Sequence, residues 1–355
     1  MNMKQNTSEC FQALRANLAL DKRRVELLAT FLIALIQQNT CNLARLANVL
    51  DLSAKKESKY RRLKRFVQNV PLGWDGLASL IVKIVAPRGK YLLALDRTEW
   101  RYGAIWVNIV TLSIISGNSS IPLFWETLNR KGNTTLEERK EILRRYLKVF
   151  GAASIAYLSC DREFDSPEFI RFLDKEKIGF RMRVRVSMKI TNRRTKQTCL
   201  FSEVLSKMAV GQFSKWRKAR NYGTVKVYVE IEKGETSAEC VIVLSSEKSR
   251  SILIDYKQRW KIETLFQNLK GRGFEIEETH LQKAEKIDRL FGVLALAVAW
   301  AIKTGELESN FEPIEIKKNG RPQQSYFRLG CEIIQQFLME VKSYSKVNLI
   351  EILRC

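Results

Sequence analysis

Tyr91-Leu92-Leu93-Ala94-Leu95-Asp96 is the stretch whose reading decides the fold. Five apolar residues in succession, closed by a carboxylate, match a central strand covered on both faces, since a strand with one wet face alternates. Working forward, Ile105 to Ile115 and Ile121 to Leu128 are two further strands, parted by the turn residues Ser116-Gly117-Asn118. Thr134 or Thr135 caps a helix that runs to Phe150. A fourth strand, Ser154 to Ser159, ends at Cys160-Asp161. Ser166-Pro167 opens a helix to about Lys177, because proline is tolerated in a first turn. Phe180 to Val186 is the fifth strand. Three strands, helix, strand, helix, strand is an α/β order with two aspartates, Asp96 and Asp161, at strand ends.

Downstream, residues 187–245 show short alternating stretches such as Thr224 to Glu230 and Ala238 to Leu244, a β-rich segment inserted into the core. One long helix is expected from about Arg250 to Lys270, stopped by Gly271-Arg272-Gly273. Phe291 to Ile302 is the longest apolar run, about 12 residues against the ~20 that span a bilayer, and so reads as a buried helix. Residues 305–355 are mixed and end in a helical stretch, Cys331 to Lys342. Upstream, residues 8–85 are helical, with apolar positions three and four apart through Phe11, Leu14, Leu18 and Leu27 to Leu35. The divisions are 1–85, 86–310 with the insertion at 187–245, and 311–355.

Lys and Arg outnumber Asp and Glu by 61 to 38 over 355 residues, a net charge of +23 that points to a polyanionic partner. The surplus is concentrated: residues 1–90 hold 16 basic against 6 acidic side chains, and residues 181–230 hold 13 against 2. Two such patches suit two surfaces that track phosphates; the alternative is a ribosome-associated or merely basic protein. Helix Asn42 to Leu50, the turn Asp51-Leu52-Ser53 and helix Lys55 to Val67 follow one another, and the last carries Lys55, Lys56, Lys59, Arg61, Arg62, Lys64 and Arg65. That is the pattern of a helix-turn-helix whose second member enters a major groove, unless the charge is a solvated face. Seven widely spaced cysteines without a Cys-x-x-Cys pair fit free thiols in a reducing compartment. With His280 the only histidine, no zinc site is expected, and Met1 to Asn6 lacks the apolar core of a signal peptide.

Within the long helix, each step turns ~100°, so Tyr256, Arg259, Glu263 and Lys270 fall in an arc of roughly 60°. Ile262, Leu265 and Leu269 lie beside that arc and anchor the helix. A phenol, two cations and a carboxylate in one file suit a phosphate-handling helix; the plain alternative is a solvated face with spaced ion pairs. With Asp96 and Asp161, Glu263 makes three carboxylates without histidine, a donor set for a hard cation such as Mg²⁺. Two such ions activate a water or a 3′-hydroxyl and stabilise the departing oxygen in phosphoryl transfer.

The chain resembles the DDE transposases of bacterial insertion sequences, in the insertion sequence four family. That family's signature is Tyr, two residues, Arg, three residues, Glu, six residues, Lys, and Tyr256, Arg259, Glu263 and Lys270 match every spacing. LALDRTEW around Asp96, SCDREF around Asp161, ETLFQNLKGRGFEIEETHL from Glu263 and GRPQQSYFRLG from Gly320 also resemble it, in order, from about residue 90 to 330. The resemblance implies an RNase H-like catalytic core with a β-rich insertion, behind an N-terminal helical DNA-binding domain. It implies Mg²⁺, with Mn²⁺ able to substitute, at Asp96, Asp161 and Glu263, and a phosphate grip by Tyr256, Arg259 and Lys270. It further implies cleavage and strand transfer at the element's terminal inverted repeats and at target DNA, by a homodimer in a bacterial cytoplasm at the nucleoid, without a membrane. DNA contacts are expected from Lys59, Arg61, Arg62 and Arg65.

Other residues carry paired readings. Arg162 and Glu163 either orient the ligands or form a local salt bridge; Trp216 and Trp260 either stack on a base or pack; His280 reads as a structural residue. A decayed transposase acting only as a DNA-binding protein is the alternative function, and all three carboxylates at fitting separations argue against it. The single histidine, which stands in no His-x-x-Arg and no His-hydrophobic-His, argues against a tyrosine recombinase or a histidine-dependent nickase.

Overall fold

A computed structural model describes residues 3–339 and 347–354. Five helices come first: α1 (Met3–Asn17), α2 (Lys22–Gln38), α3 (Leu43–Val49), α4 (Lys56–Asn69) and α5 (Trp74–Val85). Polar caps set the starts of α2 and α3: the Asp21 carboxylate accepts from the Arg24 N–H at 3.0 Å, and the Asn42 amide oxygen accepts from Ala44 and Arg45. Three strands follow, β1 (Tyr91–Tyr102), β2 (Ile105–Ser116) and β3 (Ser119–Leu128), then α6 (Leu136–Phe150), β4 (Ile155–Cys160), α7 (Pro167–Lys175) and β5 (Phe180–Arg183). This is the order expected from the sequence. Thr135 is the cap of α6, in a reciprocal box in which its hydroxyl accepts from the Glu138 N–H and the Glu138 carboxylate accepts from its own.

The segment after β5 holds β6 (Lys189–Asn192), β7 (Thr198–Leu200), the short helix α8 (Phe201–Ser206), β8 (Phe213–Lys215), β9 (Arg220–Tyr222), β10 (Val225–Glu232) and β11 (Val241–Ser245). It extends the same sheet, whose order is β3-β2-β1-β4-β5-β11-β10-β9-β6-β7, with β8 also on β10. Only the β1–β4 and β4–β5 pairings are parallel, so the sheet is mostly antiparallel. The chain closes with α9 (Ile252–Lys257), α10 (Lys261–Leu269), α11 (Ala284–Glu308), α12 (Tyr326–Leu338) and α13 (Glu351–Arg354). The expected helix Cys331 to Lys342 starts earlier, where Ser325 caps Arg328, and residues 340–342 lie outside the described residues.

Both faces of the sheet are covered. Consecutive strand residues point to opposite faces, and Phe124 meets Tyr146 of α6 at 6.3 Å while Trp125 meets Phe291 of α11 at 5.1 Å and Trp74 of α5 at 5.3 Å. Leu93, Ala94 and Leu95 are wholly buried as a result, which is why that run lacks alternation. Helix α11 has the length and hydropathy of a membrane span, but it is buried among α2, α4, α5, α12 and β3. Its crossing with α12 is backbone to backbone: a Cβ on Gly330 would meet the Ala301 carbonyl oxygen at 1.7 Å, and one on Gly305 the Tyr326 carbonyl oxygen at 2.0 Å.

Asp288 ties α11 to β3, its Oδ1 accepting from the Thr127 N–H at 3.0 Å and the Thr127 hydroxyl at 2.6 Å. Burial lifts its carboxyl to about 6, against those two hydrogen bonds, which favour the charged form. A carboxyl raised on folding contributes stability that is whole below the unfolded value, about 4, and is lost as pH rises through about 6. Asp288→Asn keeps an oxygen that accepts the same bonds. It should remove about 1 kcal/mol of the stability difference between pH 5 and pH 7 in urea titrations; an unchanged difference would assign the pH dependence to other groups.

Candidate functional site

The site is built where two parallel strands part. Leu95 of β1 pairs with Cys160, the last residue of β4, so the next residue on each chain is a carboxylate, Asp96 and Asp161. The sequence places Asp96 at the end of its strand; in the structure β1 runs on to Tyr102 and Asp96 pairs with Thr111 of β2. It is β4 that stops, which frees the Asp96 side of the ladder and leaves the carboxylate with 15% of its side chain exposed.

The expected long helix is broken. A 3₁₀ turn at Gln258–Trp260 separates α9 from α10. Residues three apart eclipse in that geometry, and Arg259 Nε donates to the Tyr256 hydroxyl at 3.1 Å. The hydroxyl donates in turn to Asp161 Oδ1 at 3.0 Å. Arg259 Nη1 reaches Asp96 Oδ2 at 2.5 Å, and Nη2 reaches Glu263 Oε1 at 2.9 Å, one turn into α10. All three carboxylates therefore meet on one phenol and one guanidinium. Lys270 does not join them. It leaves the helical backbone as the cap of α10, donates to the Glu99 carbonyl oxygen at 3.0 Å and pairs with Glu277 at 2.9 Å.

Electrostatics separate the two aspartates. Burial pushes Asp96 up to about 6, with Glu163 and Asp161 adding to the rise and Arg259 and the Arg97 N–H opposing it. For Asp161 burial acts the same way but is outweighed by Arg259, the Arg162 N–H, Arg183 and the Tyr256 hydroxyl, so its carboxyl is lowered. Arg259 loses by burial and gains more from Tyr256, Asp96 and Asp161, which holds it firmly protonated. Asp96 and Glu263 converge on the guanidinium and Asp161 on the phenol, rather than on one another. Among the described residues no three Asp, Glu, His or Cys side chains are grouped closely enough to hold a metal ion. In kind the donors suit a hard cation: all are carboxylate oxygens, and two of them already face one positive charge.

Several supporting residues carry no sequence expectation. Arg183 of β5 stands 3.6 Å from Asp161 Oδ1, and the pairing of Cys160 with Met182 makes it the residue abreast of Asp161. Arg97 joins Glu99 and Glu163, each at 2.8 Å, so Glu163 belongs to a local salt bridge. Arg139 is buried and donates to Thr134 and to the Glu163 and Phe164 carbonyl oxygens, which fixes the loop after Asp161. Asp165, buried and raised by burial, accepts from the Tyr222 hydroxyl at 2.5 Å and fastens β9 to that loop.

The basic residues divide between surface and structure. On α4, Leu63, Phe66 and Val67 are buried while Arg61, Arg62, Lys64 and Arg65 are exposed. Lys59 instead donates to the Leu50 carbonyl oxygen at 2.7 Å, closing the end of α3. In the second basic stretch, Arg181 is 3% exposed and pairs with Asp255 and Glu247. Trp216 packs on Phe201 at 6.1 Å with Arg220 over its other side, whereas Trp260 is 55% exposed. His280 stacks on Tyr102 at 5.1 Å.

Residues 88–300, more than half of the chain, match the family model described as Transposase DDE domain. The match begins just before β1 and ends within α11, so it contains all three carboxylates and the 3₁₀ turn. No curated protein matches the chain.

Ser251 caps the helical segment that carries Tyr256, and Arg181 ties it to the sheet: its Nε bonds Asp255 at 3.0 Å, its Nη1 bonds the Phe180 carbonyl oxygen, and its guanidinium lies over Tyr157 at 4.5 Å. Arg181→Met leaves Asp255 without its partner and should cost about 2 kcal/mol in chemical unfolding. An unfolding midpoint equal to the wild type would show that α9 is held without this pair, by its apolar contacts, the Ser251 cap and Glu230.

Proposed function

The chain belongs to the family of transposase DDE domains, and from that premise we propose that it is a transposase of the insertion sequence four family, cutting and rejoining DNA at element ends. The observation that carries the reading is the convergence of Asp96, Asp161 and Glu263 on the Tyr256–Arg259 pair. The Tyr-Arg-Glu-Lys spacing supports the narrower family, and the strand order β3-β2-β1-β4-β5 with helices on both faces supports an RNase H-like core.

Asp96, Asp161 and Glu263 are the proposed ligands of Mg²⁺, or of Mn²⁺ in its place. Bound there, the ion supplies Lewis acidity and a more acidic water at neutral pH. The chain's own residues do the rest. Asp96 is oriented by the Arg97 N–H, which holds its Oδ1 at 2.9 Å. Tyr256 orients Asp161 and supports the Arg259 guanidinium, whose planar fork suits a phosphate of the cleaved strand. Lys270, pinned between the Glu99 carbonyl oxygen and Glu277, adds positive charge further along β1.

Residues 1–85 are the proposed DNA-binding unit, 86–310 the catalytic unit with its insertion at 187–245, and 311–355 a C-terminal segment. The exposed arginines of α4, Arg61, Arg62 and Arg65, are the proposed contacts to the terminal inverted repeats, with Lys59 acting beneath them on α3. Arg193, Arg194, Lys196, Lys218 and Arg220 line one cleft at the tip of the insertion and are a second basic surface for the duplex or the target. The working unit is a homodimer that brings two ends together, at the nucleoid of a bacterial cytoplasm.

The test is incubation of the purified chain with linear duplexes carrying candidate ends and Mg²⁺, resolved on denaturing gels. Wild type should nick at the element boundary, and Asp96→Ala and Glu263→Ala should bind the ends but lose nicking by at least about a hundredfold; cleavage by either variant would overturn the assignment. Removing Arg61, Arg62 and Arg65 together should weaken binding and lower the slope of log K against log salt by up to about 2.7. An unchanged slope would place the DNA elsewhere.

A further inference from the structure

Arg259 occupies the position that a cation ligand set would have to open. Its guanidinium is 4% exposed and spends one N–H on Asp96, one on Glu263 and one on the Tyr256 hydroxyl, which itself holds Asp161. Each of the three carboxylates thus commits an oxygen to the Arg259–Tyr256 pair. We propose that Arg259 is the resident cation of the carboxylate cluster and competes with the divalent ion for it, so that ion loading releases the guanidinium to a DNA phosphate. The inference rests on the reading of these three carboxylates as ion ligands.

The physical argument is one of shared oxygens and like charges. A small divalent ion demands short, direct contact with carboxylate oxygens and near-octahedral geometry. Asp96 Oδ2 and Glu263 Oε1 face the guanidinium instead, at hydrogen-bond distance. Two positive charges confined in a low-dielectric site repel strongly, so an entering ion and a seated guanidinium disfavour one another. The structure provides a way out. Glu263 is 55% exposed, which puts the Nη2 end of the guanidinium next to solvent, whereas Asp96 keeps the Arg97 N–H on its other oxygen whether or not Arg259 stays. A phosphate at that mouth gives the displaced guanidinium a new bidentate acceptor. By linkage, DNA then raises the affinity for the ion as much as the ion raises the affinity for DNA. A carboxylate site kept neutralised until substrate arrives also avoids holding bare, desolvated charges together.

Mn²⁺ binding to the full chain without DNA, followed by the loss of the free-ion paramagnetic resonance signal, tests the competition directly. Arg259→Gln should bind Mn²⁺ about tenfold more tightly than wild type. A short duplex should tighten Mn²⁺ binding to wild type but not to Arg259→Gln. Thermal unfolding gives a second readout: Arg259→Gln should melt below wild type without ion and regain most of the difference with Mn²⁺. Should that variant fail to fold, Tyr256→Phe frees Asp161 and loosens the guanidinium, and it should show the same change at smaller size. Equal or weaker Mn²⁺ binding by the variants, with wild type binding the ion, overturns the competition and leaves the ligand assignment standing. No Mn²⁺ binding by wild type or variants overturns both.

Discussion

The parallel pairing of β1 with β4 is the constraint from which the site follows. Parallel strands point the same way, so where the shorter one ends, both chains present their next side chains side by side. Leu95 and Cys160 are the last paired residues, and both are fully buried. The two aspartates beyond them stand at the boundary between a dry core and the surface. That position keeps a carboxylate accessible to ligands while depriving it of much of its water, which is why Asp96 is raised and why its neighbours carry so many cations. The apolar helices α5, α6 and α11, by covering both faces, hold the strands that make this possible.

Charge around the site is organised in overlapping pairs rather than single bridges. Arg259 serves Asp96 and Glu263, Arg97 serves Glu99 and Glu163, Arg181 serves Asp255 and Glu247, and Arg183 approaches Asp161. Arg259, Arg97 and Arg181 each face two carboxylates, and removing Arg259 would leave the buried Asp96 carboxylate uncompensated. Some residues of the two basic stretches are thus needed inside the fold rather than on its surface. Arg181 and Arg183 are spent on the fold, as is Lys59 on the end of α3, while Arg61, Arg62, Arg65 and the cleft lined by Arg193, Arg194, Lys196 and Lys218 keep their charge outside.

Helix geometry decides which members of the Tyr-Arg-Glu-Lys file act together. A continuous α-helix would carry all four along one face. The 3₁₀ turn instead stacks Arg259 beneath Tyr256, and the end of α10 at Leu269 turns Lys270 toward Glu99 and Glu277. Tyr256 and Arg259 hold the aspartates, Glu263 joins them through Arg259, and Lys270 secures another part of β1.

By itself the sequence determined the order of elements in the core, because unbroken apolar runs, capping residues and turn residues are local signals: Leu93 to Leu95, Thr135 with Glu138, and Ser166-Pro167 each act within a few residues of themselves. It also determined the candidate carboxylates, through their positions after strands and on a helix. Strand register, the break in the helix and the partner of each charge were decided only in three dimensions. Asp96 lies in the middle of β1 because pairing with β2 continues past it to Tyr102, Arg183 faces Asp161 because β5 is in register beside it, and Lys59 turns inward because the end of α3 lies beneath it. These are relations between segments far apart in the chain, set by packing and by the need of buried charge for a partner, and no local pattern encodes them.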